Sequence, residues 1–594
     1  MKTYNILDYG SPDHITNAVK AALSDIKKSG EEAVLFFPEN KYHFFKEDSE
    51  TRVFHTSNTD SKRFPEKKIA FLLEDMENVT VDGGGSEFIV HGDMMFLAAI
   101  RCKNIRFRNF SWDYPSPTTV EMKTVATGKN YADFMLSPGQ EWQVRGRNIV
   151  WSETSSKTGE TYWSRKNLQK SVLVCHLDLK KHTLVRAGLT ESPFMPNRMH
   201  AKKLDNRTVR IKYFGKMPKS VREGMVFVLC PNKERSTAGA FFWESADIEV
   251  ENVQPLYLHG FSWLVQMCRN VSFRKCKFVP KEKGERYITS FADSLHVAGA
   301  AGYVHIEDCD FSHDLDDPLN IHGTFMRVEK SIDPHTVKLI YCHHQQGGFK
   351  QFREGDRVAF YDRTTLEGIE EEKLYTVKSV TDPLCGENGF AETVVTFEEE
   401  LPPYVGDKIG NEGRYVAENT TYSPDVVIRN CKFSYVPTRG ILCTARGKVL
   451  IENNEFYGMT MASVYISNDS NQWYESGPVR DMTIRNNTFY ILKSAHKNKG
   501  GIFIDPVTKG GSLPENPIHK NITIDSNIFY MEHDNAVYAR SVQNLTITNN
   551  TVKICDSAAA EKEIHAFRFE KCKNVVLSGN TGDRGVDLSP QKSL

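Results

Sequence analysis

One phrase recurs along this chain and restricts its fold more than anything else in it. "CKNIRFRNFSW" from Cys102, "CRNVSFRKCKF" from Cys268, "YVHIEDCDF" from Tyr303 and "DVVIRNCKF" from Asp425 share a single plan. It returns as "KVLIENNEF" from Lys448, "DMTIRNNTF" from Asp481, "KNITIDSNIF" from Lys520, "QNLTITNNTV" from Gln543 and "KNVVLSGNT" from Lys573. Each copy is a short alternating strand, then Asn or Cys, then an aromatic or β-branched residue. Alternation alone marks a strand. The added signal is the Asn two residues before the Phe, at Asn454, Asn487 and Asn527. Stacked coils can line such amides into ladders that satisfy backbone groups at a tight turn. Ile428 and Ile451 are 23 residues apart, as are Ile524 and Ile547, and longer intervals fall where loops are inserted. Short β segments at a period of roughly 20–30 residues, with no helix between them, describe a stacked β array. A leucine-rich repeat would need a Leu framework, and a sandwich would show hairpin turns. The expected fold is all-β, a right-handed parallel β-helix.

The ends and the interruptions complete this reading. "HITNAVKAALSDIKKSG" from His14 has apolar residues at helical spacing and a Gly stop, and "AVLFFPENKYHF" follows as a strand. A short N-terminal helix is expected to cap the first coil, whose edge would otherwise stay open. Two stretches break the repeat, about Asp113 to Phe241 and about Thr324 to Ser423. They resemble each other, "TVRIKYF…VREGMVFV" against "TVKLIY…FREGDRVAFY", and each is expected to be a small β-barrel inserted in a coil loop. The predicted organisation is cap and first coils over 1–112, a first barrel over 113–241, central coils over 242–323, a second barrel over 324–423 and last coils over 424–594. A repeat array accommodates 594 residues, which one ordinary compact core does not.

Composition narrows the partners. A formal net charge of -1 gives no reason to expect nucleic acid or an anionic membrane. No window approaches 18 apolar residues, so no membrane insertion is expected. The start, "MKTYNILDYGSPDH", lacks the apolar core of a secretory signal; the protein is expected to be cytoplasmic or to have had a signal removed. Of the twelve cysteines, six (Cys102, Cys268, Cys276, Cys309, Cys431 and Cys572) sit in or beside strand-like runs, where a free thiol acts as a small hydrophobe. No Cys/His spacing suggests zinc, and no metal or cofactor is expected.

The chemistry concentrates in "HDLDDPLNIHG", His313 to Gly323, and in "FADSLHV" upstream. With a coil of about 23 residues, Asp293 and Asp316 would occupy equivalent positions on adjacent coils, roughly 4.8 Å apart, with Asp317 beside them. Three carboxyls gathered in this way repel one another, and at least one pKa should rise. Two carboxyls with divided labour are what glycoside hydrolysis needs. The same residues also suit calcium or plain Asx turns. His296 and His322 lie beside the acids and favour catalysis.

"AD…DD…HG" is similar to the catalytic pattern of polygalacturonases, glycoside hydrolase family 28. This chain has Ala292 where that pattern has Thr, and His322-Gly323 stands close behind the Asp pair. Over most of its length, through "FADSLHV", "HDLDDPLNIHG" and "ISNDSNQWYESGPV", the chain resembles glycoside hydrolase family 110, the bacterial exo-α-1,3-galactosidases. The resemblance implies an inverting enzyme without cofactor, acting on galactose-terminated glycans and exported to the periplasm or beyond. By the same resemblance Asp316 is the general acid, with Asp293 and Asp317 activating water. In "NDSNQWYESG", Trp473 is expected to stack on galactose, with Glu475 and Asn468 on its hydroxyls. Arg439 and Arg446 are candidates to border the site, and His296 and His322 are further substrate-contact candidates. Two other readings fit the residues: a β-helix hydrolase or lyase of uronic acid polymers, and a non-catalytic glycan-binding β-helix.

Overall fold

The computed structural model describes residues 1–166, 174–187, 191–194, 199–230, 235–386, 390–409, 412–492, 499–555 and 563–592. Three parallel sheets stack coil upon coil into a right-handed β-helix. On the first sheet a single apolar column runs from Val79 through Ile105, Ile248, Val271, Val304, Val426, Val449, Met482, Ile522 and Leu545 to Val575. Each of these residues is in register with the next. On the second sheet Phe278, Phe311, Phe433, Phe456, Phe489 and Phe529 stack ring on ring, with centroids 4.8–5.0 Å apart. Strand spacing is itself about 4.8 Å, so an aromatic repeated once per coil stacks without rearrangement.

The corner between these sheets shows why the repeat carries Asn or Cys. The residue before it turns the chain with a positive φ, as at Asp308, Asn430, Asn453 and Asn486 (55–56°). Asn454, Asn487, Asn527, Asn550 and Asn580 then form a ladder. From Asn487 onward the side-chain oxygen of each accepts from the backbone and side-chain N–H of the Asn one coil earlier, at 2.9–3.0 Å, and that of Asn454 accepts from the Cys431 N–H at 2.9 Å. In the earlier coils the rung is a thiol: Cys276, Cys309 and Cys431 donate to strand carbonyls at 3.6 Å.

At the amino end, helix α1 (Ile15–Ser29) buries Ile15, Ala18, Val19, Ala22, Leu23 and Ile26 over the first coil. It stops at Gly30, which has φ 64° and donates its N–H to the Ile26 carbonyl.

Both interruptions fold as antiparallel β modules. The first is a seven-stranded sheet built between Val120 and Leu229, with a three-stranded sheet over Glu141–Arg145, Asn148–Thr154 and Thr161–Lys166. The second closes on itself as a six-stranded barrel. The two similar segments supply strands to their own modules, Thr208–Tyr213 and Met225–Leu229 in one, Thr336–Ile340 and Arg357–Asp362 in the other.

Four strands of the third sheet carry the acidic region. They are β1 (Phe261–Arg274), β2 (Leu295–Glu307), β3 (Leu319–Asp333) and β4 (Arg439–Thr444). Strand β3 runs unbroken from its coil into the second barrel, where Phe325–Arg327 pair with Val416–Glu418. The site therefore sits at the mouth of a rigid sheet, with a barrel grown directly from one of its strands.

Candidate active site

Register decides which acids meet. Leu295 pairs with Leu319 and Ala298 with His322, and Ser290 bridges Asp314, so this coil takes 24 residues. Asp293 consequently stacks on Asp317, and Ala292 is the counterpart of Asp316. This corrects the expectation that Asp293 and Asp316 are equivalent. The 23-residue period holds between Ile428 and Ile451, but the turn before β3 is one residue longer. One coil further on, Leu319 pairs with Ile441, which sets Arg439 beside Asp317. Two residues before the paired Leu295, Leu319 and Ile441, neighbouring coils thus present Asp293, Asp317 and Arg439 in a column. Asp316, on the same turn as Asp317, joins it: one carboxyl oxygen from each of the three acids lies within 4.8 Å of the others.

Three guanidinium groups hold this cluster. Arg439 donates to Asp317 through a side-chain nitrogen and, at 3.3 Å, through its backbone N–H. Asp316 receives Arg186 at 2.9 Å and Arg235 at 3.1 Å. Arg186 comes from the first inserted module and also donates to the Leu315 carbonyl at 2.8 Å. Arg235 follows that module and is fixed by Asp60 and by the Asn58 carbonyl. Neither arginine was evident from sequence, because no local motif marks a residue that reaches a site across a module boundary. Three arginines already neutralise the acids, which disfavours calcium among the same carboxyls.

The acids differ in protonation. Burial works to raise Asp316, but Arg186, Arg235 and Arg439 outweigh it and hold its carboxyl below the usual range. Burial, with Asp316 beside it, pushes Asp293 up to about 8. Asp317 rises to about 7, through burial and its two acidic neighbours, against the pull of Arg439. Asp314 is wholly buried, and its side chain accepts from Ser294, so it anchors the turn.

The three acids open on a cavity of about 200 Å³ lined also by Asn58, Arg186, Arg235, Asn320, Arg439 and Trp473, with Glu475 at its wall. Trp473 is 36% exposed and packs at a tilt against His343, with ring centroids 4.2 Å apart. Its loop is organised by Asp469, which accepts from the backbone of Asn471, Gln472 and Trp473. Asn320 was missed from sequence; its buried side-chain oxygen has no partner among the described residues. Asn468 is buried behind the loop and does not line the cavity. Arg446 is not there either: it pairs with Glu372 at 2.9 Å and with Tyr361 of the second barrel. His296 and His322 lie beneath the acids. His296 Nδ1 is 2.7 Å from Asp293, and its Nε2 is 2.8 Å from His322 Nε2. Glu475 lies 3.4 Å from the same His322 nitrogen. Beside the acid trio, His296, His322 and Glu475 form the other group among the described residues with donor atoms close enough to hold a metal ion.

Comparison with known proteins agrees with this architecture. Residues 415–586 match the right handed beta helix region family, and residues 336–408 match GLAA-B beta-barrel domain II. The chain is 34% identical to alpha-1,3-galactosidase A of Streptomyces avermitilis, over 97% of this chain and 90% of the relative. It is 35% identical to alpha-1,3-galactosidase A of Peterkaempfera griseoplana, over 90% and 73%. With alpha-1,3-galactosidase B of Bacteroides thetaiotaomicron it shares 30% identity over 98% and 91%. Matched from end to end across cap, coils and both inserts, the chain belongs to the α-1,3-galactosidase family of glycoside hydrolases.

Proposed function

We propose that the protein removes terminal α-1,3-linked galactose from glycans, with inversion at the anomeric carbon and with Asp293, Asp316 and Asp317 as its catalytic acids and base. The column of buried carboxyls opening on a small cavity carries this reading. At about 200 Å³ the cavity falls below the roughly 300–1,000 Å³ of pockets that enclose drug-sized ligands. That volume suits one sugar ring, as an exo-acting enzyme requires. Trp473 offers an aromatic face at its edge, and Asn320, Arg439 and Glu475 offer polar atoms to hydroxyl groups.

The contacts support a division of labour opposite to that implied by resemblance. Asp316, held by two guanidinium groups, is the ionised carboxylate suited to activate water. Asp293 has no guanidinium in hydrogen-bond contact among the described residues, burial raises it to about 8, and it is suited to protonate the leaving oxygen. Asp317, between Asp293 and Arg439, positions the water. The closest oxygens lie nearer than the about 6.5–9.5 Å of a simple inverting pair, so water would be held by clustered carboxyls at one side of the ring.

Proton NMR of a terminal α-1,3-galactobioside during turnover tests the stereochemistry. Release of β-galactose first is the expected result, and α-galactose first rules out inversion. Roles are separated by leaving group. Asp293→Asn is expected to lose 10²–10⁴-fold on the disaccharide yet retain most activity on a dinitrophenyl α-galactoside, whose leaving group needs no proton. Asp316→Asn is expected to lose both activities; the reverse pattern would restore Asp316 as the acid.

A further inference from the structure

A second cavity, of about 470 Å³, is lined by the first inserted module and the early coils. One coil position supplies a whole column of its wall. Ile69 pairs with Met95, Ala240 with Leu97 and Ala238 with Phe261, and Leu258 bridges Ser290. Lys67, Asp93, Ser236, His259 and Phe291 therefore stack one per coil, and all five line the cavity. Phe291 stands two residues before Asp293, so the column follows the same edge of the third sheet as the acids, over the coils that precede them. The first module adds Trp163, Ser164 and Arg165, from its strand Thr161–Lys166.

Six charged side chains line the cavity, and four of them are cations. Lys46 pairs with Asp93 at 2.6 Å and Lys68 with Glu66 at 3.5 Å. That uses both carboxylates. The two cations left over are the two buried ones. Lys67 is 1% exposed and donates to the carbonyls of Phe64 and Ser236. Arg165 is 9% exposed. One of its terminal nitrogens donates to the Leu229 carbonyl at 3.0 Å, and the other, Nη1, is buried with no partner among the described residues. The buried His259 Nε2 is likewise without a partner among them. Burial lowers Lys67 to about 8, with only Asp60 opposing, and Arg165 to about 10. Cations that lose water without gaining a carboxylate behave in this way. Carbonyl dipoles alone do not offset the desolvation of two like charges, whereas a bound anion does.

We propose that this cavity binds the oxyanion of an acidic saccharide, a sugar carboxylate or a sulfate ester, on Arg165 and Lys67. The planar fork of Arg165 suits either oxyanion, and the Lys67 ammonium adds a point charge. His259 Nε2 is free to bond an oxyanion oxygen or a sugar hydroxyl. Phe64, Met94, Trp163 and Phe291 supply apolar faces for the ring. That the ligand is a saccharide rests on the reading of the neighbouring cavity as a sugar site; that it is anionic rests on Arg165 and Lys67 alone.

Titration calorimetry on the full chain compares galacturonate, galactose 6-sulfate and inorganic sulfate. At least one acidic sugar is expected to bind, the tighter of the two identifying the oxyanion, with inorganic sulfate competing more weakly. Arg165→Gln should weaken that binding by about 10–100-fold, whereas Trp473→Ala, in the other cavity, should not. Arg165→Gln removes an unpaired buried charge, so without ligand its denaturant midpoint should equal or exceed that of wild type. The bound sugar should raise the midpoint of wild type and not that of the variant. A wild-type crystal structure with the same sugar needs no variant, and should set the oxyanion against Arg165 Nη1. Failure of both acidic sugars to bind overturns the proposal. So does equal binding by Arg165→Gln and wild type, or an oxyanion seated on Arg186 and Arg235 instead. Inorganic sulfate bound as tightly as either sugar overturns the assignment to a saccharide. None of these measurements involves turnover, so their outcome is separate from that of the α-galactosidase assay.

Discussion

Two columns of polar side chains run along the same β-helix, and they behave in opposite ways. At one corner Asn454, Asn487, Asn527, Asn550 and Asn580 stack with every amide both donating and accepting. At the mouth of the third sheet Asp293 and Asp317 stack in an equivalent way, one coil apart. A carboxylate has acceptors only. Where a column of amides satisfies itself, a column of carboxylates must keep protons, recruit cations or do both. The site does both: Arg439 continues the column beyond Asp317, and Asp293 turns to His296. One stacking geometry therefore yields a stable scaffold from amides and a set of displaced pKa values from acids, and the chemistry depends on the second being confined to two coils.

The largest effect separating the two columns should come from Asp293→Asn. It makes the site resemble the ladder, replacing an acid by an amide that can donate to or accept from His296. Turnover of the disaccharide should fall by 10²–10⁴-fold. The denaturant midpoint near neutral pH should stay within measurement error or rise, as a buried group with displaced ionisation is replaced by a satisfied one. A loss of both activity and stability would mean that Asp293 is chiefly structural.

The converse substitution, Asn487→Asp, imports the site's problem into the ladder. The Asn487 amide donates to the carbonyls of Ile451 and Arg485 at 2.9 Å, and its oxygen accepts from Asn454. A carboxylate there would face two carbonyls with no proton to offer them. Stability at neutral pH should drop by about 1–3 kcal/mol or more, recovering as pH falls towards about 4, because burial raises the new acid's pKa in the fold and lets it take up a proton there. The kcat of the surviving fold should be unchanged, because residue 487 is remote from the cavity lining. A denaturant midpoint equal to wild type at pH 7 would show that the ladder's hydrogen bonds are individually dispensable.

How much of this could be read beforehand follows the same division. The ladder was legible because each coil repeats its own rung: Asn or Cys two residues before Phe, and an apolar pair on the strand. The helical cap and the two inserts were legible for a related reason, since each breaks or mirrors a pattern. The acid trio was visible as composition, but its partnering was not. A single extra residue in the turn before β3 moved Asp293 from Asp316 to Asp317, and turn length leaves no signature in hydrophobic periodicity. Arg186 and Arg235 reach Asp316 from 130 and 81 residues away in sequence, through docking of a module on the coils. The His296–His322 contact likewise depends on which coils are neighbours. Asn468 and Arg446 show the reverse error: polar residues near a motif that face inward or pair with a barrel.

The pH dependence of stability gives the last comparison, and within the acidic site it has opposite slopes for the raised and the lowered carboxyls. Asp293 and Asp317 are raised, to about 8 and about 7, from an ordinary carboxylate value near 3.9. The folded state therefore binds more protons than the unfolded state between these limits. Their contribution is fully present below about pH 4 and is lost as pH rises through about 7 to 8. Asp316, held below the usual range by its arginines against the cost of burial, has the opposite sign: its contribution is present above about pH 4 and is lost on acidification. Wild type should thus lose stability from pH 5 to pH 8.5 through Asp293 and Asp317, and Asp293→Asn should flatten that decline by removing one of the two. Asn487→Asp adds a third raised carboxyl in the ladder and should steepen it. Equal slopes in all three proteins over this range, measured by denaturant titration at each pH, would mean that the carboxyl column ionises in the folded protein much as it does in the unfolded chain. The contrast between the columns would then lie in hydrogen bonding alone.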